Sequence, residues 1–367
     1  MRFSVSQSAL SRALLVVMKG MATNSTLPIL SGIYIHAEEG TLEFQSTNLT
    51  ISIRHRIAAN VEEPGSVVVS GKMLSNIVKT LPDSAITFES VEHMVSITAE
   101  KSTFHLNTLD PRDFPEFPTF ALESSIELPS DLLSTMVERV YKVVSKDTSR
   151  PILSGILINV EDNLIRLVAT DSYRLVVCDT NVETSTLEGV FQMIIPGNVF
   201  HDVLTLPSDS QTILIGSTDS QVVFVFGNTT YISRKIEGNF PNYKQLLPES
   251  CETSVKMDLT DFSAALKRVS VIAVSNPSVR CDIDAEAGQM VLSAVVADQG
   301  DAREVVPVEV EGESMSIALN YHYVFDCVNA LSDEKEVTLE LKSAMQPGIF
   351  KSYSKVNYLY LLMPVRM

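Results

Sequence analysis

The sequence predicts an α+β protein made of three tandem copies of one helix-and-antiparallel-sheet domain. Three observations carry that expectation. The string "PILSG" stands at Pro28–Gly32 and again at Pro151–Gly155, 123 residues apart, close to a third of the 367-residue chain. Segments such as "TLEFQS", "AITFES", "TILIGST" and "VTLELKS" alternate apolar and polar residues and are rich in Val, Ile, Phe and Thr, the pattern of half-buried strands. Helical periodicity recurs in six windows, 6–20, 71–81, 130–146, 197–207, 260–274 and 320–331.

In the opening helix Val5, Ala9, Leu10, Ala13, Leu14 and Val17 form an apolar stripe that must cover a sheet. Both "PILSG" strings run into alternating strands, "IYIHAEEGTLEF" and "ILINVEDNLIRLVAT". A Thr-centred turn follows, "STNLTISI" at 46–53 and "ATDSYRLVV" at 169–177. Next come a strand, a turn with Gly and a second helix, "VVVSGKMLSNIVKTLPD" at 67–83 and "FQMIIPGNVFHDVLTLPSD" at 191–209. Both helices stop at Leu-Pro because proline cannot continue them. "DPRDFPEFP" at 110–118 matches "EGNFPNYKQLLP" at 237–248 and joins one copy to the next.

A third copy is weaker, with helices "DLTDFSAALKRVSVIAV" and "NYHYVFDCVNALSD" around the strands "VRCDIDAEAGQMVLSAV". Its "PILSG" has eroded. Such a period is too long for a solenoid and indicates duplicated domains, at 1–123, 124–250 and 251–367. No linker is long or proline-rich, so the three copies are expected to form one rigid arc.

With 45 % hydrophobic and 20 % charged residues the chain can fill several cores. The formal charge of −17 argues against a general nucleic-acid coat or an anionic membrane surface. Its distribution is uneven. The six helical windows hold nine basic residues, Arg12, Lys19, Lys72, Lys79, Arg139, Lys142, Lys146, Lys267 and Arg268, against five acids, and the rest of the chain is strongly acidic. Either this is ordinary surface charge, or the helices share a side that faces a polyanion and holds it through phosphates, without reading bases.

Cys178, Cys251, Cys281 and Cys327 are widely spaced and form no CxxC pair, so reduced cysteines are expected. The N-terminal apolar run is broken by Ser8, Ser11 and Arg12 and lacks a small-residue cleavage site, so a signal peptide is not expected. No apolar stretch approaches membrane length, and a cytoplasmic location is the default. The six histidines do not cluster, and no metal, nucleotide or hydrolase motif is present. "VVSGKML" lacks the spacing of a phosphate loop, and Gly71 is expected to be a strand-to-helix turn. An interdomain enzyme site and a protein-binding scaffold stay open as alternatives.

The ordered set "TLPILSG" (26–32), "RPILSG" (150–155), "ATDSYRL" (169–175), "NFPNY" (239–243), "YVFDCVNAL" (323–331) and "YLYLLMPVRM" (358–367) resembles the bacterial DNA polymerase III beta subunit family over essentially the full length. The resemblance implies the DNA clamp fold and an arc-shaped subunit of three domains. Two chains would close head to tail into a six-domain ring, with helices lining the hole and sheets on the rim. It implies a non-catalytic processivity factor, with no cofactor or metal, that encircles duplex DNA in the cytoplasm. Its implied partners are the polymerase III catalytic subunit, the clamp loader and other proteins with clamp-binding peptides.

It also implies three sets of residues. The peptide cleft would use Leu153, Thr170, Ser172, Tyr173, Arg174, Leu175, Pro241, Gln245, Leu246, Asn320, Tyr323, Leu361, Met363, Pro364, Val365 and Arg366. DNA contacts would come from Asn24, Lys72, Lys79, Lys146, Ser149 and Arg150, and the dimer seam from Phe104, Leu106, Ile272 and Ala273. Three positions depart from the family pattern: Ser172 where Gly is usual, Gln245 where some members have Arg, and Asn24 where Arg is common.

Overall fold

The computed structural model describes residues 1–366 except Asn24, residues 183–188, Glu249 and Ser275. The first copy runs β1 (Arg2–Ser6), α1 (Gln7–Val17), β2 (Gly32–Glu38), β3 (Thr41–Thr47), β4 (Ile51–Ala58), β5 (Asn60–Glu63), β6 (Gly65–Ser70), α2 (Gly71–Thr80), β7 (Ala85–Val91), β8 (Met94–Ala99) and β9 (Ser102–Leu109). The second runs β10 (Ser124–Pro129), α3 (Ser130–Tyr141), β11 (Gly155–Glu161), β12 (Leu164–Thr170), β13 (Arg174–Asn181), β14 (Val190–Pro196), α4 (Gly197–Leu204), β15 (Thr212–Ser217), β16 (Gln221–Phe226) and β17 (Thr229–Arg234). The third runs β18 (Thr253–Asp258), α5 (Leu259–Ser270), β19 (Ser278–Asp284), β20 (Gln289–Val296), β21 (Gly300–Pro307), β22 (Glu309–Gly312), β23 (Met315–Asn320), α6 (Tyr321–Ala330), β24 (Glu336–Leu341), β25 (Gly348–Ser352) and β26 (Asn357–Leu362).

All six expected helices are present, and a strand missed in the sequence precedes the first helix of each copy. Each copy is therefore itself a doublet: strand, helix and three strands, twice over, with one extra short strand between the halves of the first and third copies, β5 and β22. The strand before one helix pairs with the strand after the other, as β1 with β7 and β6 with β2. The same exchange recurs as β10 with β15, β14 with β11, β18 with β24 and β19 with β23. In the first and third copies helix starts are capped by the polar residue that ends the preceding strand. Ser6 accepts from the Ala9 N–H, Asp258 from Asp261 and Asn320 from His322, satisfying backbone donors that a helix leaves free.

The chain divides into two compact units, Met1–Leu132 with Asp202–Lys235, and Leu133–His201 with Ile236–Met367. In the first, one antiparallel sheet runs β10-β15-β16-β17-β4-β3-β2-β6-β9-β8-β7-β1-β5. Its core includes the fully buried Phe3, Leu10, Phe44, Phe88, Phe224 and Tyr231, with Phe3 stacked on Phe88 at 5.0 Å. In the second, a sheet ordered β14-β11-β12-β13-β26-β25-β24-β18-β22 stands with a smaller one ordered β21-β20-β19-β23. Phe191, Phe262, Phe350, Tyr358 and Tyr360 fill the core there.

The "PILSG" repeat now has a physical cause. Both copies form a 3-10 turn in which Ser31 and Ser154 donate to the carbonyls of Pro28 and Pro151, each at 2.7 Å. The glycine then starts a strand pressed against its neighbour. A Cβ on Gly32 would lie 2.5 Å from Val68 Cγ1, and one on Gly155 2.4 Å from Ile194 Cγ2. In the third copy Ser278 takes that place opposite Asn320, so the constraint and the motif are both gone. Gly155→Ala is expected to destabilise the fold by about 1–3 kcal/mol through overpacking, read as a lower midpoint in urea unfolding; an unchanged midpoint would show that the strand gives way freely.

Three expected windows overrun their helices: 197–207 is α-helical only to Leu204, 260–274 only to Ser270, and 130–146 only to Tyr141. Beyond it the Val143 and Val144 N–H groups bond three residues back, to Val140 and Tyr141, which ends the helix and leaves Lys142 and Lys146 outside it. β26 lies between β13 and β25, and Met363–Arg366 continues beyond it as irregular chain.

Candidate functional site

The Thr-centred turn is the organising element. Between β12 and β13, Asp171 Oδ1 accepts from the Tyr173 and Arg174 N–H groups at 3.0 and 3.1 Å, and Thr170 Oγ1 donates to the Arg174 carbonyl at 2.8 Å. The β3–β4 turn repeats this with Asn48 and Thr47, so four residues of sequence likeness encode one hydrogen-bond pattern. Ser172 sits at φ +78°, the left-handed region where glycine costs least. Its hydroxyl accepts from Arg150 Nη1 at 2.7 Å, a contact glycine could not make.

Arg174 leaves this turn as a buried cation, 7 % exposed. Its Nε donates to Asp171 Oδ2 at 2.9 Å, Nη1 to Asp326 Oδ2 at 2.5 Å and to Tyr360 Oη at 3.1 Å, and Nη2 to the Lys142 carbonyl at 2.7 Å. Its guanidinium lies 4.3 Å from the Tyr323 ring centroid. Burial disfavours the charge, but Tyr360, Asp326 and Asp171 more than offset it, so the pKa is raised above the ordinary arginine value. Asp326 and Tyr360 were invisible as partners in the sequence because they lie far along the chain; a lone acid in the α6 window was the only hint.

On the face of the sheet opposite the Arg174 side chain lies an apolar surface. Thr170, Leu175, Leu361 and Ile349 lie directly opposite one another across four strands, followed by the row Val168, Val177, Leu359 and Lys351. Leu157, Val168, Leu175, Val177, Ile194, Tyr243, Ile349 and Leu361 form one buried cluster, with Phe240 and Leu247 packed on it. Leu153 is also buried, whereas Pro241, Gln245 and Leu246 are exposed. The tail is tied down at two points: the Met363 N–H donates to the Tyr173 carbonyl and the Val365 N–H to the Ala318 carbonyl, both at 2.9 Å. Tyr173 and Met363 are 61 % and 43 % exposed, leaving apolar side chains open above an apolar floor. Pro364 and Val365 are half-buried and Arg366 is exposed; Asn320 is engaged in capping α6 and Tyr323 lies against Arg174. Such a surface can bury side chains of a linear segment and hold its register with a few fixed polar groups.

The basic residues are less uniform than their positions suggest. Arg12 pairs with Asp209 at 3.0 Å, Lys19 with Asp202 at 2.8 Å and Arg268 with Glu304 at 2.9 Å. Arg139 is 4 % exposed and held by Asp333, Glu334 and the Val356 carbonyl, so it cannot face a ligand. Lys72, Lys79, Lys142, Lys146 and Lys267 are exposed and, among the described residues, in no ion pair. Ser149 and Arg150 are exposed but both engage Asp147, at 2.7 and 2.9 Å. Asn24 lies outside the described residues.

Asp147 is pulled to a pKa of about 2, first by hydrogen bonds from Ser149 and then by Arg150. Because its folded value is depressed, the ordering it contributes to this loop is present above the ordinary 3.8 and is lost as pH falls through about 2. Ser149→Ala is expected to move the Asp147 carboxyl titration upward, toward 3.8, in a carbon-detected NMR titration; an unmoved midpoint would remove Ser149 as its main partner.

Of the seam residues, Phe104 and Ile272 are half-buried, whereas Leu106 and Ala273 are buried inside their own folds. The open apolar area beside Ile272 belongs instead to Val271 and Val274, 69 % and 71 % exposed, which the sequence reading passed over. Burial pushes the Cys178 and Cys281 thiols up to about 12, so neither is a nucleophile near neutral pH. Among the described residues no three His, Cys, Asp or Glu side chains are grouped to hold a metal.

Comparison with known proteins agrees along the whole chain. Residues 1–118, 127–242 and 244–366 match family models described as the N-terminal, central and C-terminal domains of the DNA polymerase III beta subunit. The chain is 30 % identical over 377 residues to the beta sliding clamp of Staphylococcus aureus strain Mu50, covering 100 % of this chain and 99 % of that one. It is 27 % identical over 388 residues to the beta sliding clamp of Bacillus subtilis strain 168, each covered in full. The crystal structure of the Bacillus subtilis DNA polymerase sliding clamp superposes with a TM-score of 0.93 at 27 % identity, covering 100 % of this chain and 99 % of that one.

Proposed function

The chain belongs to the DNA polymerase III beta subunit family throughout its length, and from that premise we propose how its geometry works. It is a DNA sliding clamp, a non-catalytic processivity factor that tethers a polymerase to DNA. A scaffold that never encircles DNA, the alternative open in the sequence, is not favoured by this membership.

One observation carries the proposal of how the clamp closes. Successive copies are joined by strand pairing: β4 with β17, where Ile53 faces Tyr231, and β13 with β26, where Val176 faces Tyr360. The counterpart of β4 and β13 in the third copy is β21, and that of β17 and β26 in the first is β9. β21 ends its sheet, and Ser102–Asn107 of β9 pairs on one side only among the described residues. In our reading a second chain completes both edges, β21 of each meeting β9 of the other, with Phe104 and Ile272 at the seam. Two equal seams make a symmetric dimer and hide edges that invite aggregation. Six domains would then surround the duplex with helices toward it.

We place the domain boundaries at 1–123, 124–250 and 251–367. Lys72, Lys79 and Lys146, with Arg150, supply phosphate attraction that is weak and salt-sensitive in so acidic a chain. The face walled by Leu153, Thr170, Leu175, Leu361 and Met363 takes short peptides of the polymerase catalytic subunit, the clamp loader and other partners. No described helix is long and apolar enough to cross a membrane, and cytoplasmic placement is part of this reading.

The test is topological. Protein loaded onto a nicked circular plasmid is expected to stay through a gel-filtration column and to leave once the plasmid is cut at one site. Equal retention on circular DNA and on linear DNA with free ends would overturn encirclement.

A further inference from the structure

The sheet face that floors the peptide cleft does not end at Leu175 and Leu361. Two residues along each strand lies the pair Val177 and Leu359, and two further the pair Asp179 and Asn357. Tyr243 and Leu247 contribute to a hollow of about 380 Å³ on this part of the face, whose floor is Val177 and Leu359. Its polar wall is already satisfied. Arg166 donates to Asp179 Oδ2 from Nε at 3.2 Å and Nη2 at 3.1 Å, and Asn357 Nδ2 donates to Asp179 Oδ1 at 3.1 Å. A ligand's polar group would therefore find few unmet partners, whereas apolar area remains to be covered. Tyr353, on the rim, is 74 % exposed. Lys244, also on the rim, is exposed and in no ion pair among the described residues.

We propose that this hollow is an outer subsite of the peptide cleft, taking a large aromatic or aliphatic side chain from the same bound segment. An acidic neighbour of that side chain faces Lys244. The inference rests on the cleft reading above. Two features of the molecule name this occupant: the floor is continuous with that of the cleft, and the rim's one uncompensated charge among the described residues is positive. The reach is also suitable. Leu175 and Asp179 are four residues apart on one strand, about 13 Å at ~3.3 Å per residue, so an extended peptide spans the gap with about four residues. The cleft anchors would fix the segment first, and the outer side chain would then bind as a tethered group.

Fluorescence anisotropy on the full-length protein tests this with three kinds of peptide. One carries the apolar anchors alone; one is extended by five residues ending Phe-Glu, at either terminus in separate peptides; one ends Phe-Lys instead. The Phe-Glu extension at one terminus is expected to tighten binding about tenfold. Tyr353→Ala should remove most of that gain, and Lys244→Glu should transfer it to the Phe-Lys peptide, while the anchor-only peptide binds both variants as it binds the parent. Equal affinities for extended and anchor-only peptides, or a gain that survives both substitutions, would overturn the subsite alone. Failure of the anchor-only peptide to bind would overturn the cleft and the subsite with it. A single-stranded oligonucleotide that displaces only the extension would assign the hollow to nucleic acid and overturn the proposal.

Discussion

Removal of residues 363–367 is expected to abolish peptide binding while the protein stays folded and dimeric. Met363 and Val365 are tied by backbone hydrogen bonds to Tyr173 and Ala318, so deletion removes one wall of the cleft and loosens the turn opposite. β26 ends at Leu362 and keeps its pairing with β13 and β25, which protects the fold. Losing two apolar contacts worth about 1.5 kcal/mol each would weaken a peptide by at least about 100-fold. Anisotropy with a labelled peptide of polymerase origin reads this directly. Undiminished binding by the truncated protein would show that the cleft has been misplaced, even if the clamp itself assembled.

The second large effect concerns assembly. Phe104→Asp, and separately Ile272→Asp, is expected to convert a dimer of about twice 40.3 kDa into monomers at micromolar concentration. In our reading of the seam, each places a carboxylate where apolar side chains meet, at a cost of several kcal/mol, or on the order of a thousandfold in dissociation constant. Val271→Asp, on a more exposed neighbour, should act in the same direction with less risk to the fold. Sedimentation velocity separates the outcomes, and dimers persisting in all three variants would remove this surface from the seam.

Much of this architecture was legible because it is locally encoded. Helix stripes, the Leu81-Pro82 stop and the "PILSG" glycines each report constraints within a few residues or against one neighbouring strand, whereas α4 ends at Leu204, ahead of its Leu206-Pro207. Pairing between copies was not legible. Thr230 meets Arg54 and Leu361 meets Leu175, and nothing local in either strand names so distant a partner. Arg139 was misread for a related reason. Its charge suggested a solvated face, yet its place three residues after Met136 continues the buried stripe of Leu133, Met136 and Val140. That spacing was the available signal. In the cleft, the Thr-turn was recognised as a motif, but the carboxylates and tyrosine that hold Arg174 could be found only in three dimensions.

The bounds of the two compact units all fall inside the second copy, after Leu132, after His201 and after Lys235. Strands β10 and β15–β17 complete the sheet of the first copy, while β11–β14 extend that of the third. The duplicated stretch of sequence and the compact unit are therefore out of phase by half a domain. The strands of the middle copy are divided between two sheets, so thermal unfolding is expected to show two transitions, not three. A substitution in the middle copy would be felt in one terminal body or the other, according to which half it strikes.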